Sequence, residues 1–144
     1  MQKVLIDTNV ILDFFFNREP FSENASRILA LCEKKEIEGF VTPVIISNVY
    51  YLLSQKAKQQ KVIEKLKNLL LILNVVIIDK NSIFLALNSD FSDFEDALQN
   101  FAAETNGNID LIITRNTKDY KKSNLAIFNP EAFLIVYNSK NQNK

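Results

Sequence analysis

The sequence of 144 residues lacks the residue types on which many enzyme active sites depend. It contains no histidine and no tryptophan, one cysteine (Cys32) and two glycines (Gly39 and Gly107). The absence of histidine excludes Ser-His-Asp and Cys-His catalysis and every zinc site with a histidine ligand. A single cysteine excludes internal disulfides and cysteine-rich metal clusters, and two distant glycines exclude a phosphate-binding loop or a dinucleotide fingerprint. If this chain performs chemistry, its carboxylates are the side chains best suited to it.

Long hydrophobic runs and an excess of one charge are also missing. The longest apolar run, 69–78, is interrupted by Asn74 and is shorter than the roughly 20 residues that span a membrane. The N-terminal segment reaches Asp7 before a signal-peptide core can form, so we expect a cytoplasmic protein without a membrane partner. Seventeen basic and seventeen acidic residues give zero net charge, which argues against broad electrostatic binding of nucleic acid and favours self-association.

The hydrophobic pattern predicts an α/β domain. Five short apolar runs are typical of parallel strands that are covered on both faces; they are 3–6, 39–42, 75–78, 111–114 and 125–128. Segments with helical periodicity separate them, among them a helix over 43–54 capped by Thr42 and one that begins near Phe94 after the capping box Ser92-x-x-Glu95. We expect one domain over 1–137, with a mostly parallel five-stranded sheet flanked by helices, and a polar tail over 138–144.

Acidic and amide side chains recur near the predicted carboxyl ends of the strands, where parallel α/β sheets bind ligands. Asp7 directly follows the first strand, and Asn116 and Asp119 follow the fourth. Further acids open the helix that leads into the fourth strand: Asp93, Glu95 and Asp96. A set of oxygen ligands without nitrogen or sulfur suits Mg²⁺ or Mn²⁺, and such an ion activates water for phosphodiester hydrolysis. The pattern therefore predicts a metal-dependent phosphodiesterase.

Three segments resemble the motifs of the PIN domain family, most closely the bacterial branch that includes toxin nucleases of VapC type. They are VLIDTNVILD at 4–13, DFEDALQ at 93–99 and IITRNTKDY at 112–120. The resemblance extends from Lys3 to about Ile135. It implies a five-stranded parallel sheet, a magnesium-dependent endoribonuclease, an RNA substrate, an antitoxin protein as partner and a homodimer.

The resemblance also implies roles for individual residues. Asp7 matches the first metal-binding acid, and Asp96 matches the acid at the start of the long helix. Asn116 stands where many members have aspartate, so Asp119 is the nearest carboxylate for that role. Asn48 stands where members usually have a glutamate. We therefore expect Asp7, Asp96 and Asp119 to be catalytic and, with the carbonyl oxygen of Asn116, to hold the metal.

Other residues are expected to assist this site. The supporting residues are Asn48, Asp93, Thr114 and Asn9. The candidates for contact with RNA phosphates are Arg115, Lys118, Lys121 and the adjacent Lys122. Simpler interpretations stand beside these: Asp7 is also a plausible cap of the following turn, and Glu95 a plausible capping-box partner. Helical-wheel geometry places Asp96 away from the apolar stripe Phe94/Ala97/Phe101.

Several residues are best explained by structure alone. Cys32 lies on an apolar stripe and is expected in the core. Asp13 is expected to cap or to pair locally, and the phenylalanines at 14–16 and 21 to belong to the core or an interface rather than to stack on bases.

Two other functions compete with the nuclease. Because Asn48 and Asn116 replace expected acids, the chain is alternatively a PIN-like module that binds RNA or protein without cutting. A phosphotransfer domain shares the parallel sheet and the acidic strand end, but the sequence Asp7-Thr8-Asn9 lacks the adjacent acids or the Asp-x-Asp pair of such domains.

Overall fold

The computed structural model describes residues 1–142, in which strands and helices alternate along the chain. The strands are β1 (Lys3–Ile6), β2 (Glu38–Val41), β3 (Leu73–Val75), β4 (Leu111–Ile113) and β5 (Ala126–Phe128). The helices are α1 (Thr8–Phe15), α2 (Ser22–Glu33), α3 (Pro43–Ser54), α4 (Gln59–Ile72), α5 (Lys80–Leu87), α6 (Phe94–Asn106) and α7 (Pro130–Gln142), with a 3₁₀ turn at Thr117–Tyr120. The predicted α/β class is confirmed.

All five strands are parallel and lie in the order β3-β2-β1-β4-β5. In this register Val4 of the central strand lies beside Gly39 on one side and Leu111 on the other. The chain builds outward from β1 through β2 to β3, then crosses back to place β4 and β5 on the other side. The strand order therefore reverses between β1 and β4, and such a switch point opens a crevice at the carboxyl ends of the two strands.

The core lies on both faces of the sheet. Residues 4–6 of β1 and residues 112–113 of β4 are fully buried, which explains why the strands are continuous apolar runs rather than alternating ones. Cys32 is buried as expected, and burial raises the pKa of its thiol to about 12. It packs against Gly39, where a Cβ atom would lie only 2.6 Å from the Cys32 Sγ atom, so β2 needs glycine there.

Several predicted boundaries differ from the structure. The third strand is Leu73–Val75 rather than 75–78, because Leu73 pairs with Gly39 at the end of α4 instead of completing another helical turn. Helix α6 is capped by Asp93 rather than by Ser92. Helix α7 continues through Gln142, so residues 138–142 are helical rather than part of a polar tail, and 143–144 lie outside the described residues.

None of the helices described over residues 1–142 combines the length and apolarity needed to cross a bilayer.

Candidate active site

Asp7 occupies the switch point between β1 and β4. Its backbone N–H donates to the carbonyl of Ile113 at 3.0 Å, which extends the β1–β4 ladder by one residue. Its side chain is the N-cap of α1, and Oδ1 accepts a hydrogen bond from the Thr8 N–H at 2.8 Å. Only 6% of the residue is exposed. The change from strand to helix therefore fixes this carboxylate in the crevice, and the capping role predicted as an alternative coexists with the site.

The other oxygen of Asp7 is bound by side chains from both neighbouring segments. The hydroxyl of Thr114, directly after β4, donates to Oδ2 at 2.8 Å. The amide of Asn9 lies 3.5 Å from the same oxygen and 3.2 Å from the Thr114 hydroxyl, and its own carbonyl accepts from the Arg115 N–H at 3.1 Å. Thr114 and Asn9, two of the predicted supporting residues, thus contact Asp7 and join α1 to the loop after β4.

Tyr120 is a site residue that sequence reasoning missed. Its hydroxyl lies 3.4 Å from Oδ2 of Asp7 and 3.3 Å from Oδ1 of Asp96, and the side chain is fully buried. A phenol has one proton to donate, so it satisfies one of these two carboxylates at a time. Burial, followed by the charges of Asp7 and Asp96, raises the pKa of Tyr120, which keeps it protonated. A buried tyrosine in a polar turn has no periodicity that reveals it.

Helix α6 buries the face that carries Asp96, contrary to the expectation from its apolar residues. Gln99 and Asn100, three and four positions after Asp96, are fully buried, whereas Phe94, expected in the core, is exposed. The carbonyl oxygens of both amides accept hydrogen bonds, from the Thr42 hydroxyl in Gln99 and from the Ser123 hydroxyl in Asn100, whereas Nε2 of Gln99 has no partner within residues 1–142. The buried face of α6 combines these two amides with three alanines, and this face turns Asp96 toward the crevice.

The start of α6 also corrects the predicted role of Glu95. The helix is capped by Asp93, whose Oδ1 accepts from the Asp96 N–H at 2.9 Å, so Glu95 is not the partner of a Ser92 capping box. Instead, Oε1 of Glu95 accepts a hydrogen bond from the side-chain amide of Asn48 on α3. A carboxylate from α6 therefore lies against the α3 position where the resemblance led us to expect glutamate.

Burial and neighbouring charges raise the pKa values of three carboxylates in this region. Burial is the main cause for Asp96, followed by the charges of Asp7, Asp93 and Asp119, and together they raise its pKa to about 7. Burial also raises the pKa of Asp7, with Asp119 adding to the effect, and burial and the charges of Asp93 and Asp7 raise that of Glu95. Within residues 1–142 no lysine or arginine forms an ion pair with these acids. The crevice therefore carries negative charge that the described side chains do not neutralise.

The donor chemistry of the crevice fits a hard divalent cation, but the side chains do not form a ready cage. Carboxylate, amide and hydroxyl oxygens are the ligands that Mg²⁺ and Mn²⁺ prefer. Over residues 1–142, no group of three or more histidine, cysteine, aspartate or glutamate side chains is arranged to hold a metal ion. The fit therefore rests on the unneutralised oxygens of Asp7 and Asp96.

The loop after β4 places the remaining predicted residues around the crevice. Asn116 is exposed, and its backbone N–H donates to the Thr114 hydroxyl at 3.0 Å. Asp119 is half-buried on the 3₁₀ turn, close enough to affect the pKa values of Asp7 and Asp96. The exposed lysines beside it are Lys118, Lys121 and Lys122.

Arg115 is held by an ion pair instead of extending freely into solvent. Its Nε and Nη2 atoms donate to the two carboxylate oxygens of Asp13 at 2.7 and 3.0 Å, and its guanidinium lies 4.0 Å from the centre of the Phe21 ring. Asp13 is fully buried, with Arg18 at 3.7 Å as a second cation. Asp13 thus pairs with a residue 102 positions away rather than only locally, and Arg115 braces α1 against the β4 loop.

The raised pKa of Asp96 predicts a pH-dependent stability. Its pKa is 3.8 ordinarily and about 7 in the folded chain, so the folded state binds more protons between these values. The contribution of Asp96 to the free energy of unfolding therefore falls as pH rises from about 4 to about 7 and becomes flat above that range. We expect Asp96→Asn to reduce this fall, measured by urea denaturation in EDTA across that range. The exposed Asp90→Asn serves as control, and an equal effect of both substitutions would contradict the assignment.

Comparison with known proteins identifies the family. Residues 3–118 match the family model described as a PIN domain. Ribonuclease VapC1 of Aquifex aeolicus (strain VF5) is 30% identical in an alignment 146 residues long. The alignment covers 96% of this chain and 97% of that protein.

Solved structures share the fold at lower identity. A toxin–antitoxin complex from Klebsiella pneumoniae contains a chain with a TM-score of 0.67 and 21% identity, covering 88% of this chain and 97% of that one. VapBC-1 from nontypeable Haemophilus influenzae gives a TM-score of 0.66 at 14% identity, over 90% and 99% of the two chains.

The match to the family model spans most of the sequence and includes β1, the start of α6 and the loop after β4 as far as Lys118, and Asp119 is the next residue. The segments that carry the sequence resemblance are therefore the ones that build the site. The chain belongs to the PIN domain family of nucleases, in the branch that includes VapC-type ribonucleases.

Proposed function

We propose that this protein is a Mg²⁺- or Mn²⁺-dependent endoribonuclease that hydrolyses RNA phosphodiester bonds and acts as the toxin of a toxin–antitoxin pair. The observation that carries the proposal is the pair of carboxylates, Asp7 and Asp96, that share the single hydroxyl of Tyr120. No cation among the described side chains pairs with them. Acidic side chains that lie close together without a counter-ion are typical of functional sites, where the negative charge serves binding or catalysis.

The residues proposed to hold the cation are those that face the crevice. Asp7, Asp96 and Asp119 supply carboxylates, and Asn116 supplies a carbonyl oxygen. Glu95 is an additional carboxylate. It supplies the negative charge that Asn48, its hydrogen-bond donor, lacks. When bound, a hard divalent cation lowers the pKa of a water ligand and neutralises charge on phosphate oxygens.

The surrounding side chains orient the acids and approach the RNA backbone. Thr114, Asn9 and Tyr120 donate to Asp7 or lie within reach of its Oδ2, which keeps that oxygen in one position. Lys118 and Lys121 are exposed beside the crevice and contact RNA phosphates in this proposal. Their charges offset the negative crevice locally, so a chain of zero net charge still binds RNA there.

The proposal extends to assembly in the cytoplasm. Structural neighbours of this chain are toxin–antitoxin complexes, which supports an antitoxin protein as partner. Exposed apolar side chains on and near α5, namely Phe84 (53% exposed), Leu87 (63%) and Phe94 (49%), support a homodimer. Light scattering on the purified chain tests the dimer, which a monomeric mass at every concentration would contradict.

A second candidate function is a module that binds RNA without cutting it. The amides at Asn48 and Asn116, where the resemblance led us to expect acids, favour this alternative. Asn48 donates to Glu95 and brings no charge of its own, so the cation would have fewer anionic ligands than in a site with four family acids.

Incubation of the purified chain with single-stranded RNA distinguishes the two functions. We expect cleavage with Mg²⁺ or Mn²⁺, loss of cleavage in EDTA and recovery with excess cation. The same cations should raise the midpoint of thermal unfolding in the absence of RNA, because a ligand of the folded state stabilises it. RNA that is bound but left intact with either cation would support the binding module instead. Cleavage that persists in EDTA would contradict metal dependence.

A further inference from the structure

A second cavity opens beside the candidate active site. It has a volume of about 320 Å³ and lies between the α1–α2 loop, the loop after β4 and the start of α7. Its walls include Phe21, Asn24, Arg115, Asn116 and Asn129. We propose that this cavity binds one nucleobase of single-stranded RNA next to the bond that is cut, and so gives the enzyme a base preference. The inference rests on the proposed function in taking RNA as the ligand.

The cavity is joined to the active site by a short series of hydrogen bonds. Asn116, in its wall, donates its backbone N–H to the Thr114 hydroxyl, which in turn donates to Oδ2 of Asp7. The cavity therefore begins two hydrogen bonds away from the carboxylate at the switch point. A single-stranded RNA whose phosphates contact Lys118 and Lys121 beside the crevice places a neighbouring base within reach of this cavity.

The polar groups of the cavity suit the edges of bases. Two carboxamides of the wall, those of Asn24 and Asn129, each carry both a donor and an acceptor. Oδ1 of Asn129 accepts from the Ala132 N–H at 2.7 Å, and its NH₂ group has no hydrogen-bond partner among residues 1–142. Unstacked bases are recognised by such donor and acceptor pairs.

The remaining wall is aromatic and carries little unpaired charge. The guanidinium of Arg115 lies over one face of the Phe21 ring, 4.0 Å from its centre, and Phe21 is 38% exposed. Asp13 neutralises Arg115 through two hydrogen bonds, and Glu131 adds a negative charge at the cavity wall. A phosphate group would meet no free cation there. A neutral heterocycle that stacks on the ring and bonds to the amides fits the lining better.

The cavity is also held in shape before any ligand binds. The buried Asp13 fixes Arg115 at two atoms, and the Arg115 backbone N–H donates to Oδ1 of Asn9. A preformed site loses little conformational entropy on binding, which increases affinity and selectivity for one base.

Binding of four short RNAs tests the proposal. Fluorescence anisotropy is measured for the full chain in EDTA with labelled tetranucleotides of adenosine, cytidine, guanosine and uridine. We expect one base to bind roughly fivefold or more tightly than the weakest, the discrimination that base-edge hydrogen bonds provide. The double variant Asn24→Ala/Asn129→Ser should bring the four affinities within about twofold of each other. Serine retains a helix-capping oxygen for α7.

Matched controls separate base binding from other causes. Asn74→Ala, an exposed amide on the opposite edge strand β3, should leave the preference unchanged. Lys118→Ala should weaken all four RNAs by a similar factor. Inorganic phosphate is also added as a competitor. If phosphate displaces RNA from the parent but not from the double variant, the cavity is an anion site and the proposal is overturned. Equal affinities in the parent, or a preference that the double variant keeps, would overturn it as well.

The test is independent of catalysis. A base preference in EDTA that disappears in the double variant supports the pocket even if no RNA is cleaved with Mg²⁺ or Mn²⁺, and in that case the proposed nuclease fails. Cleavage without any base preference supports the nuclease and overturns the pocket.

Discussion

Replacing Asp7 by asparagine is expected to abolish RNA cleavage while leaving the protein folded. The carboxylate stands at the carboxyl end of β1, where Thr8 and Thr114 donate to its two oxygens. Asparagine keeps the shape of the side chain but removes the negative charge that would face a cation. Loss of several kcal/mol of charge stabilisation corresponds to a decrease in rate of roughly 1,000-fold. Single-turnover cleavage of a labelled RNA measures the effect.

The stability of the same variant separates chemistry from folding. Burial raises the pKa of Asp7, so the ionised carboxylate destabilises the folded state at neutral pH. We therefore expect Asp7→Asn to have a free energy of unfolding at pH 7 that is equal to or higher than that of the parent. The exposed Asp90→Asn should retain both activity and stability. Cleavage by Asp7→Asn at the parental rate would show that the site has been assigned wrongly.

Replacing Arg115 by alanine is expected to cause the largest loss of stability. The substitution leaves the fully buried carboxylate of Asp13 with only Arg18, at 3.7 Å, as a cation. Removal of one partner of a buried ion pair costs 3–5 kcal/mol in general, and the partial exposure of Arg115 favours the lower end, about 3 kcal/mol. Urea denaturation at pH 7 measures the free energy of unfolding.

Arg27→Ala is the matched control for Arg115→Ala. Arg27 also pairs with a carboxylate, that of Glu23 at 2.8 Å, but both side chains are exposed on α2. Its loss should lower the free energy of unfolding by no more than about 0.5 kcal/mol, since exposed pairs one helical turn apart contribute little. If the two substitutions cost the same, burial of Asp13 does not make its pair with Arg115 important for stability.

The residues of the candidate site that could be predicted are those that local sequence alone reveals. Asp7 follows an apolar strand, and acids open α6, so both positions were visible without coordinates. Tyr120 was not visible in this way, because it is a buried aromatic in a turn. Glu95 was visible as an acid, but its hydrogen bond with Asn48, 47 positions away, was not. Long-range partners of this kind leave no periodic signal.

The position of Asp96 shows why helical-wheel reasoning failed for α6. An apolar stripe predicts the buried face only when hydrophobic burial dominates the packing. Here the buried face carries Gln99 and Asn100 beside three alanines, and the carbonyl oxygens of the two amides accept hydrogen bonds from side chains on other segments. Phe94 remains exposed in consequence, on the surface that we propose for the dimer.

The absences in the sequence determined much about this protein. Without histidine, and with one cysteine that is buried, carboxylates are the side chains best suited to a reactive centre in this chain. The continuous apolar runs determined a parallel sheet covered on both faces, and the motifs determined which acids lie near its carboxyl edge. Strand periodicity and residue chemistry are local properties, so they can be read without coordinates.

Only the tertiary structure decided how these acids meet. The reversal of strand order between β1 and β4 brings Asp7 next to Thr114, and the 3₁₀ turn places Tyr120 between Asp7 and Asp96. The pairing of Asp13 with Arg115, which places a predicted RNA contact in the wall of the second cavity, has the same origin. The physical reason is that burial and charge interactions depend on distances between residues about 100 positions apart, and the packing of the sheet and helices sets these distances.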